Sequence, residues 1–265
     1  MINLNIKIEK MKKAGKKVAD LHDLLRNFIK PGISTQDIDE FCRLKMIEMN
    51  CISGAKGYQG FPKHVCTSIN NVICHGVPNE REILKNGDMI SVDIAMSFEG
   101  YFGDSCVNYL IGEVSEEKKH LSQVGYEAMW NAISIIKNGI STLELGRMMR
   151  KTAEKYGFST TEDFCGHGIG QKMHDSPLVP FYPEPMYNKK LKTGDFITIE
   201  PMVTKYSEAH IKEDGWTALT RAGEDAVQFE HTILILENGY EVMTFNGLDE
   251  EMGKIKKSGE FLNSC

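Results

Sequence analysis

Lys85-Asn86-Gly87-Asp88-Met89-Ile90-Ser91-Val92-Asp93 is matched further along by Lys192-Thr193-Gly194-Asp195-Phe196-Ile197-Thr198-Ile199-Glu200, at a constant offset of 107 residues. The shared pattern is Lys-x-Gly-Asp-apolar-Ile-Ser/Thr-apolar-acid. Each segment reads as a tight turn feeding an apolar strand. Agreement in type along the whole segment predicts an internal duplication. Both copies end in a carboxylate, so a two-fold arrangement would bring Asp93 and Glu200 to one central site.

Working outward, apolar residues at helical spacing (Ile8, Met11, Val18, Leu21, Leu25, Phe28) predict a helix over 6–29, ended by Pro31-Gly32. Ser34-Thr35 reads as the cap of a second helix running to about 50, with Ile38, Phe41, Leu44 and Ile47 inward. The Gly-, Pro- and Asn-rich stretch 54–78 predicts loops and short strands. Strands are expected at 89–96, 101–111, 196–203 and 228–237, and helices at 116–137 and 142–156. The order helices, strands, helices, strands points to an α+β fold of two similar halves. The expected organisation is one catalytic domain over 1–249, with halves near 1–110 and 111–249, and a polar, frayed tail at 250–265.

The chain of 265 residues is long enough for a large buried core. Its net charge of -6 gives no reason to expect nucleic-acid or anionic-membrane binding. The seven cysteines, an odd number without any Cys-x-x-Cys pair, favour free thiols in a reducing cytosol, and residues 1–17 lack the apolar segment of a secretory signal. No apolar run approaches the roughly 18–20 residues of a membrane span. A soluble cytoplasmic protein is expected.

Four acids stand where apolar strands should not tolerate them: Asp93, Asp104, Glu200 and Glu230. An ionised carboxylate in a dry core costs several kcal/mol or more unless compensated, and metal ions are strong compensators. Asp93 and Asp104 fall on a hairpin that turns near Ser97-Phe98-Glu99-Gly100. A two-residue loop at Glu99-Gly100 sets Asp93 opposite Cys106 and Ala95 opposite Asp104. A four-residue loop sets Asp93 opposite Asp104. Either puts both carboxylates on one face, because strand side chains alternate. His231 alternates to the face away from Glu230 and reads as a structural histidine.

Phe164-Cys165-Gly166-His167-Gly168-Ile169-Gly170 places a histidine between glycines that allow close backbone approach, and His174 follows. The spacing is G-x-G-x-G, not the G-x-G-x-x-G of a dinucleotide fold, and the chain has no His-Glu-x-x-His zinc helix. Carboxylates plus one imidazole suit Mn, Fe, Co or Zn without a thiolate. Two such ions about 3.5–4 Å apart would activate a shared water near neutral pH.

Taken together, these segments resemble the type I methionine aminopeptidases, in the bacterial form without an N-terminal extension. The resemblance runs from the first helix to about Phe245. It is carried by residues 58–62, Cys66-Thr67-Ser68-Ile69-Asn70, Val72-Ile73-Cys74-His75-Gly76-Val77-Pro78, residues 93–104, the histidine loop, Thr198-Ile199-Glu200-Pro201-Met202, Asp214-Gly215-Trp216 and Glu230-His231-Thr232. It implies a pita-bread fold with a pseudo-two-fold duplication, a curved antiparallel sheet covered by helices. It also implies a monomeric enzyme that removes the initiator methionine from nascent polypeptides at the ribosome, favouring a small second residue. By that likeness Asp93 chelates one metal, Asp104 and Glu230 bridge both, and His167 and Glu200 complete the second. His174 would help polarise the methionyl carbonyl. His75 would contact the substrate near its scissile amide or amine and assist proton transfer, and Glu200 is a further proton-transfer candidate. Tyr58, Phe61, Cys66, Met173 and Trp216 match positions lining the methionine pocket. The chain departs from the common pattern at Ala55 (Cys in many relatives), Phe61 (Tyr), Met173 (Phe) and Asp175 (Glu), none of them a ligand position.

Prolidases and aminopeptidase P share the five-ligand logic but usually carry a large N-terminal domain, for which the first ligand at Asp93 leaves no room. Binding proteins of this fold lose metal ligands, and here all five are present.

Overall fold

A computed structural model describes residues 4–257. Nine strands form the central, wholly antiparallel sheet: β1 (Ile52–Ser53), β2 (Cys66–Ile69), β3 (Met89–Phe98), β4 (Tyr101–Leu110), β5 (Cys165–Gly168), β6 (Asp175–Pro180), β7 (Phe196–Ile199), β8 (Glu230–Leu236) and β9 (Gly239–Val242). The order across the sheet is β1-β3-β4-β8-β7-β5-β6, with β2 also on β3 and β9 also on β8. Helices α1 (Leu4–Phe28), α2 (Thr35–Glu48), α3 (Glu116–Ser134) and α4 (Thr142–Lys155) bury their apolar faces, and α5 (Gly247–Lys257) follows the last strand. One apolar cluster joins Val18, Leu25, Ile38 and Met46 to Ile90, Val92 and Ile94. A second joins Val124, Met129, Leu145 and Met149 to Ile197 and Ile233. The helices of each half thus pack mainly on its own strands, while Met11 and Ala14 of α1 also meet Phe196 and Leu234 of the second half. Among the described residues no helix is long and apolar enough to cross a membrane, and Cys42, Cys51, Cys66, Cys74, Cys106 and Cys165 are free thiols.

The duplication read from one nonapeptide extends through the hydrogen bonding. The Lys85 N–H donates to Asp88 Oδ2 at 2.8 Å, and the Lys192 N–H to Asp195 Oδ2 at 2.8 Å. Gly87 and Gly194, at φ 92° and 91°, donate to Ile111 O, just past the end of β4, and to Ile235 O in β8, β4 and β8 being strands that pair with the repeat strands. A left-handed residue at that corner is the reason for glycine. Upstream, Ser34 with Asp37 and Ser141 with Glu144 form capping boxes at the starts of α2 and α4. The bridges Ser34–Ile83 and Ser141–Lys190 repeat at the same 107-residue offset. The two halves meet at β4 and β8.

Three expectations change. Within α2 the inward stripe is Ile38, Cys42 and Met46, while Leu44 and Ile47 are 46% and 59% exposed. The capping box and the Ser34–Ile83 bridge fix the helix rotation, and Phe41 stays at the edge, stacked on Phe28 with centroids 4.3 Å apart. The strand expected over 196–203 breaks at Glu200-Pro201, because proline has no N–H for the ladder. Its second part (Met202–Thr204) joins a separate three-stranded sheet. Residues 250–257 of the expected frayed tail belong to α5, and the remainder of the tail lies outside the described residues.

Asp249 explains the ordered helix. Its buried carboxylate accepts the Asn246 N–H at 2.9 Å and the Tyr126 hydroxyl at 3.1 Å, and lies 3.2 Å from His231 Nε2. His231 Nδ1 meets Thr244 Oγ1 at 2.9 Å, so both ring nitrogens are engaged on the face away from Glu230, as a structural histidine requires. Removing one member of such a buried network leaves the others unsatisfied. Asp249→Ala is expected to destabilise the fold by about 3–5 kcal/mol in denaturant unfolding. A change below about 0.5 kcal/mol would show that α5 is not held this way.

Candidate metal centre

The hairpin between β3 and β4 turns through Glu99 and Gly100, both left-handed at φ 50° and 80°. That is the two-residue loop whose twist suits paired strands. Asp93 therefore faces Cys106, and Ala95 faces Asp104. Both carboxylates project from one face, one step apart rather than directly opposed. Glu200 follows the last residue of β7, at the break that Pro201 enforces. Glu230 opens β8 beside Cys106. His167 lies in β5, where Gly166 and Gly168 admit neighbouring backbone: a Cβ on Gly168 would fall 2.1 Å from Ser176 O.

Asp104, His167 and Glu230 each present a ligand atom, all within 4.8 Å of one another. His167 Nε2 is 3.5 Å from Glu200 Oε1 and 3.9 Å from Asp104 Oδ2. The Nδ1–H of His167 donates to the Gly168 carbonyl at 3.1 Å, and burial pushes its pKa down to about 3. Nε2 thus turns a bare lone pair toward the carboxylates. Asp104 Oδ1 is buried without a hydrogen-bond partner. Burial pushes Asp93 up to about 7 and Glu200 up to about 8. Burial, joined by the neighbouring carboxylates, raises Asp104 and Glu230 well above the usual range. Converging oxygens, a lone pair and an orphaned buried acceptor repel one another unless protons or a cation lie between them. This donor set fits a hard or borderline divalent ion.

These groups floor a cavity of about 580 Å³. Asp93, Asp104, His167 and Glu200 border it, and Glu230 lies beneath at 2% exposure. The walls carry Tyr58, Phe61, Cys66, Met173 and Trp216, with His75 and His174 beside the acids. The structure thus brings the five candidate ligands and the candidate pocket residues to one place, with His231 turned away. Phe61 meets Trp216 edge-on at 5.2 Å, and the His174 ring sits 4.1 Å from His167 and 4.8 Å from Tyr58. His75 is left-handed at φ 55°, and its ring packs edge-on to Phe164 at 5.5 Å. Burial lowers its pKa to about 4, so the ring is neutral near pH 7. The following Gly76 has no alternative, since a Cβ there would fall 2.0 Å from Thr67 O.

Sequence reading missed Asp163 and Met202 on the cavity wall and the ring partner role of Phe164. It also missed the buried hydroxyls around the acids. Thr232 accepts the Asp104 N–H at 3.1 Å and donates to the Asp104 carbonyl at 2.8 Å, while Ser105 donates to the Glu230 carbonyl at 2.7 Å. These bonds splice a β4–β8 ladder of only two residue pairs. The available signal was a hydroxyl one or two places from a strand acid.

Residues 9–237 match the model of metallopeptidase family M24. The chain is 37% identical over 239 residues to the methionine aminopeptidase of Escherichia coli K12, covering 89% of this chain and 90% of that protein. The solved methionine aminopeptidase of Rickettsia prowazekii superposes with a TM-score of 0.89 at 36% identity, covering 92% of this chain and 99% of that one. An X-Pro aminopeptidase of Thermotoga maritima shares the fold at a TM-score of 0.71 and 22% identity, with 62% of that longer chain covered. The pita-bread architecture is common to all of them. Both copies of the repeat and all five candidate ligands fall inside the matched stretch, and over that stretch the chain belongs to metallopeptidase family M24.

Proposed function

We propose that this chain is a methionine aminopeptidase, a metal-dependent hydrolase that removes the N-terminal methionine of nascent polypeptides and favours a small second residue. The observation that carries the reading is the joining of a buried carboxylate and imidazole cluster, within 4.8 Å at Asp104, His167 and Glu230, to an apolar cavity of about 580 Å³. The likeness in sequence and structure to methionine aminopeptidases over about nine-tenths of the chain supports it. Residues 1–249 act as one catalytic unit of two halves (1–110 and 111–249), working as a monomer in the cytoplasm with the ribosome as the place of encounter.

Asp93, Asp104, His167, Glu200 and Glu230 would hold two divalent ions, with Mn, Fe, Co and Zn all compatible with the donors. Such ions supply the Lewis acidity that activates water and polarises a carbonyl. The protein does the rest. Tyr58, Phe61, Cys66, Met173 and Trp216 bury the methionine side chain. Neutral His75, at the cavity wall, is a hydrogen-bonding partner for the substrate amide. His174 orients the carbonyl from its position edge-on to His167, and Glu200 accepts and returns a proton.

The test is release of methionine from a Met-Ala-Ser peptide, against X-Pro peptides, after metal reconstitution. Cleavage of Met-Ala-Ser that stops in excess chelator is expected, with X-Pro peptides left intact. Turnover that persists in chelator would sink the metal mechanism, and a preference for X-Pro would sink the substrate assignment.

A further inference from the structure

The repeat carries a hydroxyl two residues before each terminal acid: Ser91 before Asp93 and Thr198 before Glu200. Two places apart on a strand is the same face. Both side chains are buried, and each catches a backbone N–H from another ligand-bearing segment. Ser91 Oγ accepts the Gln228 N–H at 3.1 Å, two residues before Glu230. Thr198 Oγ1 accepts the N–H of His167 itself at 2.9 Å, and its hydroxyl proton goes to Glu200 Oε1 at 2.6 Å. Thr198 is fully buried, so water cannot replace it. One oxygen atom thus ties the backbone of one candidate ligand to the carboxylate of another, and His167 Nε2 and Glu200 Oε1 end 3.5 Å apart.

Alternative anchors are few. Glu200 stands outside any ladder, because β7 ends at Ile199 and Pro201 follows. Among the described residues, the one side-chain hydrogen bond to its carboxylate comes from Thr198. His167 keeps the ring bond to Gly168 O, which sets the tautomer but not the distance to Glu200.

We infer that Thr198 is a positioning residue, whose hydroxyl sets Glu200 and His167 relative to one another for joint metal ligation. The inference rests on the metal-centre reading above. Outer-shell partners of metal ligands typically cost roughly 10–100-fold in affinity when removed. Thr198→Val keeps the shape and deletes both bonds, whereas Thr198→Ser keeps both.

The experiment is calorimetric titration of the chelator-treated full chain with Mn²⁺, together with kcat and KM on Met-Ala-Ser. Thr198→Val should bind Mn²⁺ about 10–100-fold more weakly and lose kcat, with KM within about threefold of the parent. Thr198→Ser should restore affinity to within about threefold of the parent. The same contrast in Thr198→Ala against Thr198→Ser carries the test should valine disturb folding. Parent-like Mn²⁺ binding in the valine or alanine variant, or equal loss in the serine variant, overturns the inference. Failure of the metal-centre reading looks different: the parent itself would bind no Mn²⁺, or would bind it equally well with Asp104 replaced by Asn.

Discussion

Asp104→Asn is expected to abolish metal loading and to cut turnover of Met-Ala-Ser by at least about a thousandfold, while the fold survives. Asp104 lies within 4.8 Å of the ligand atoms of both His167 and Glu230, and its Oδ1 has no hydrogen-bond partner in the protein. Lewis-acid stabilisation is worth several kcal/mol of barrier, and about 1.4 kcal/mol is a factor of ten. The amide keeps the volume but loses the charge, so it cannot bridge cations. The fold should not suffer. Asp104 is one of four crowded acids, and the charges on Asp93 and Glu200, added to burial, already disfavour its ionised form. Neutralising it removes repulsion, so the metal-free variant should melt at or above the metal-free parent at about pH 8. The added ion that stabilises the parent should leave the variant unchanged. Near-normal turnover, or a variant that melts well below the metal-free parent, would remove Asp104 from the centre.

What the sequence made legible followed from strand alternation and from the repeat. Asp93 and Glu200 could be paired because the 107-residue offset predicts a dyad, and the structure extends that offset to Ser34 and Ser141 and to Ile83 and Lys190. Asp93 and Asp104 could be set on one face because any even hairpin loop does so. The choice between the two loops was not legible, since it depends on Glu99 adopting a positive φ. Leu44 and Ile47 misled because a short helix with apolar residues all round has no unique inward face, and only its capping box and bridge set the rotation. The break at Pro201 was legible in principle from proline chemistry, yet apolar continuity through Val203 concealed it. The order of α5 was not legible, because it depends on Asp249 reaching His231 and Tyr126 across the chain. His75 and His174 stood out only through family resemblance, since nothing in loop spacing says where their rings go.

Metal affinity should rise steeply with pH, because the same burial that makes the acids conspicuous makes them hold protons. Asp93 moves from 3.8 to about 7 and Glu200 from 4.5 to about 8 in the metal-free fold. Their folded pKa lies above the unfolded value, so the sign is opposite to that of a salt-bridged carboxylate. These two acids cost the metal-free fold nothing well below their unfolded values of 3.8 and 4.5; the cost accumulates as pH rises from there and is complete once both ionise in the buried site, above about 7 to 8. A divalent ion binds the ionised form and must displace the protons. Each proton released contributes about a tenfold gain in affinity per pH unit, so Asp93 and Glu200 alone give about a hundredfold per unit below pH 7, and any proton held by Asp104 or Glu230, both raised well above the usual range, adds to it. Calorimetry of Mn²⁺ binding near pH 6 and near pH 7.5, in buffers of different ionisation enthalpy, counts the protons directly. Thermal unfolding gives the complement: the metal-free chain should lose stability as pH rises from about 5.5 to about 8.5, and Mn²⁺ should restore more at the upper end. A pH-independent Kd without proton release would mean that the acids are already ionised when free, with their charges compensated by something other than the ion. The crowding of Asp93, Asp104, Glu200 and Glu230 would then need another explanation.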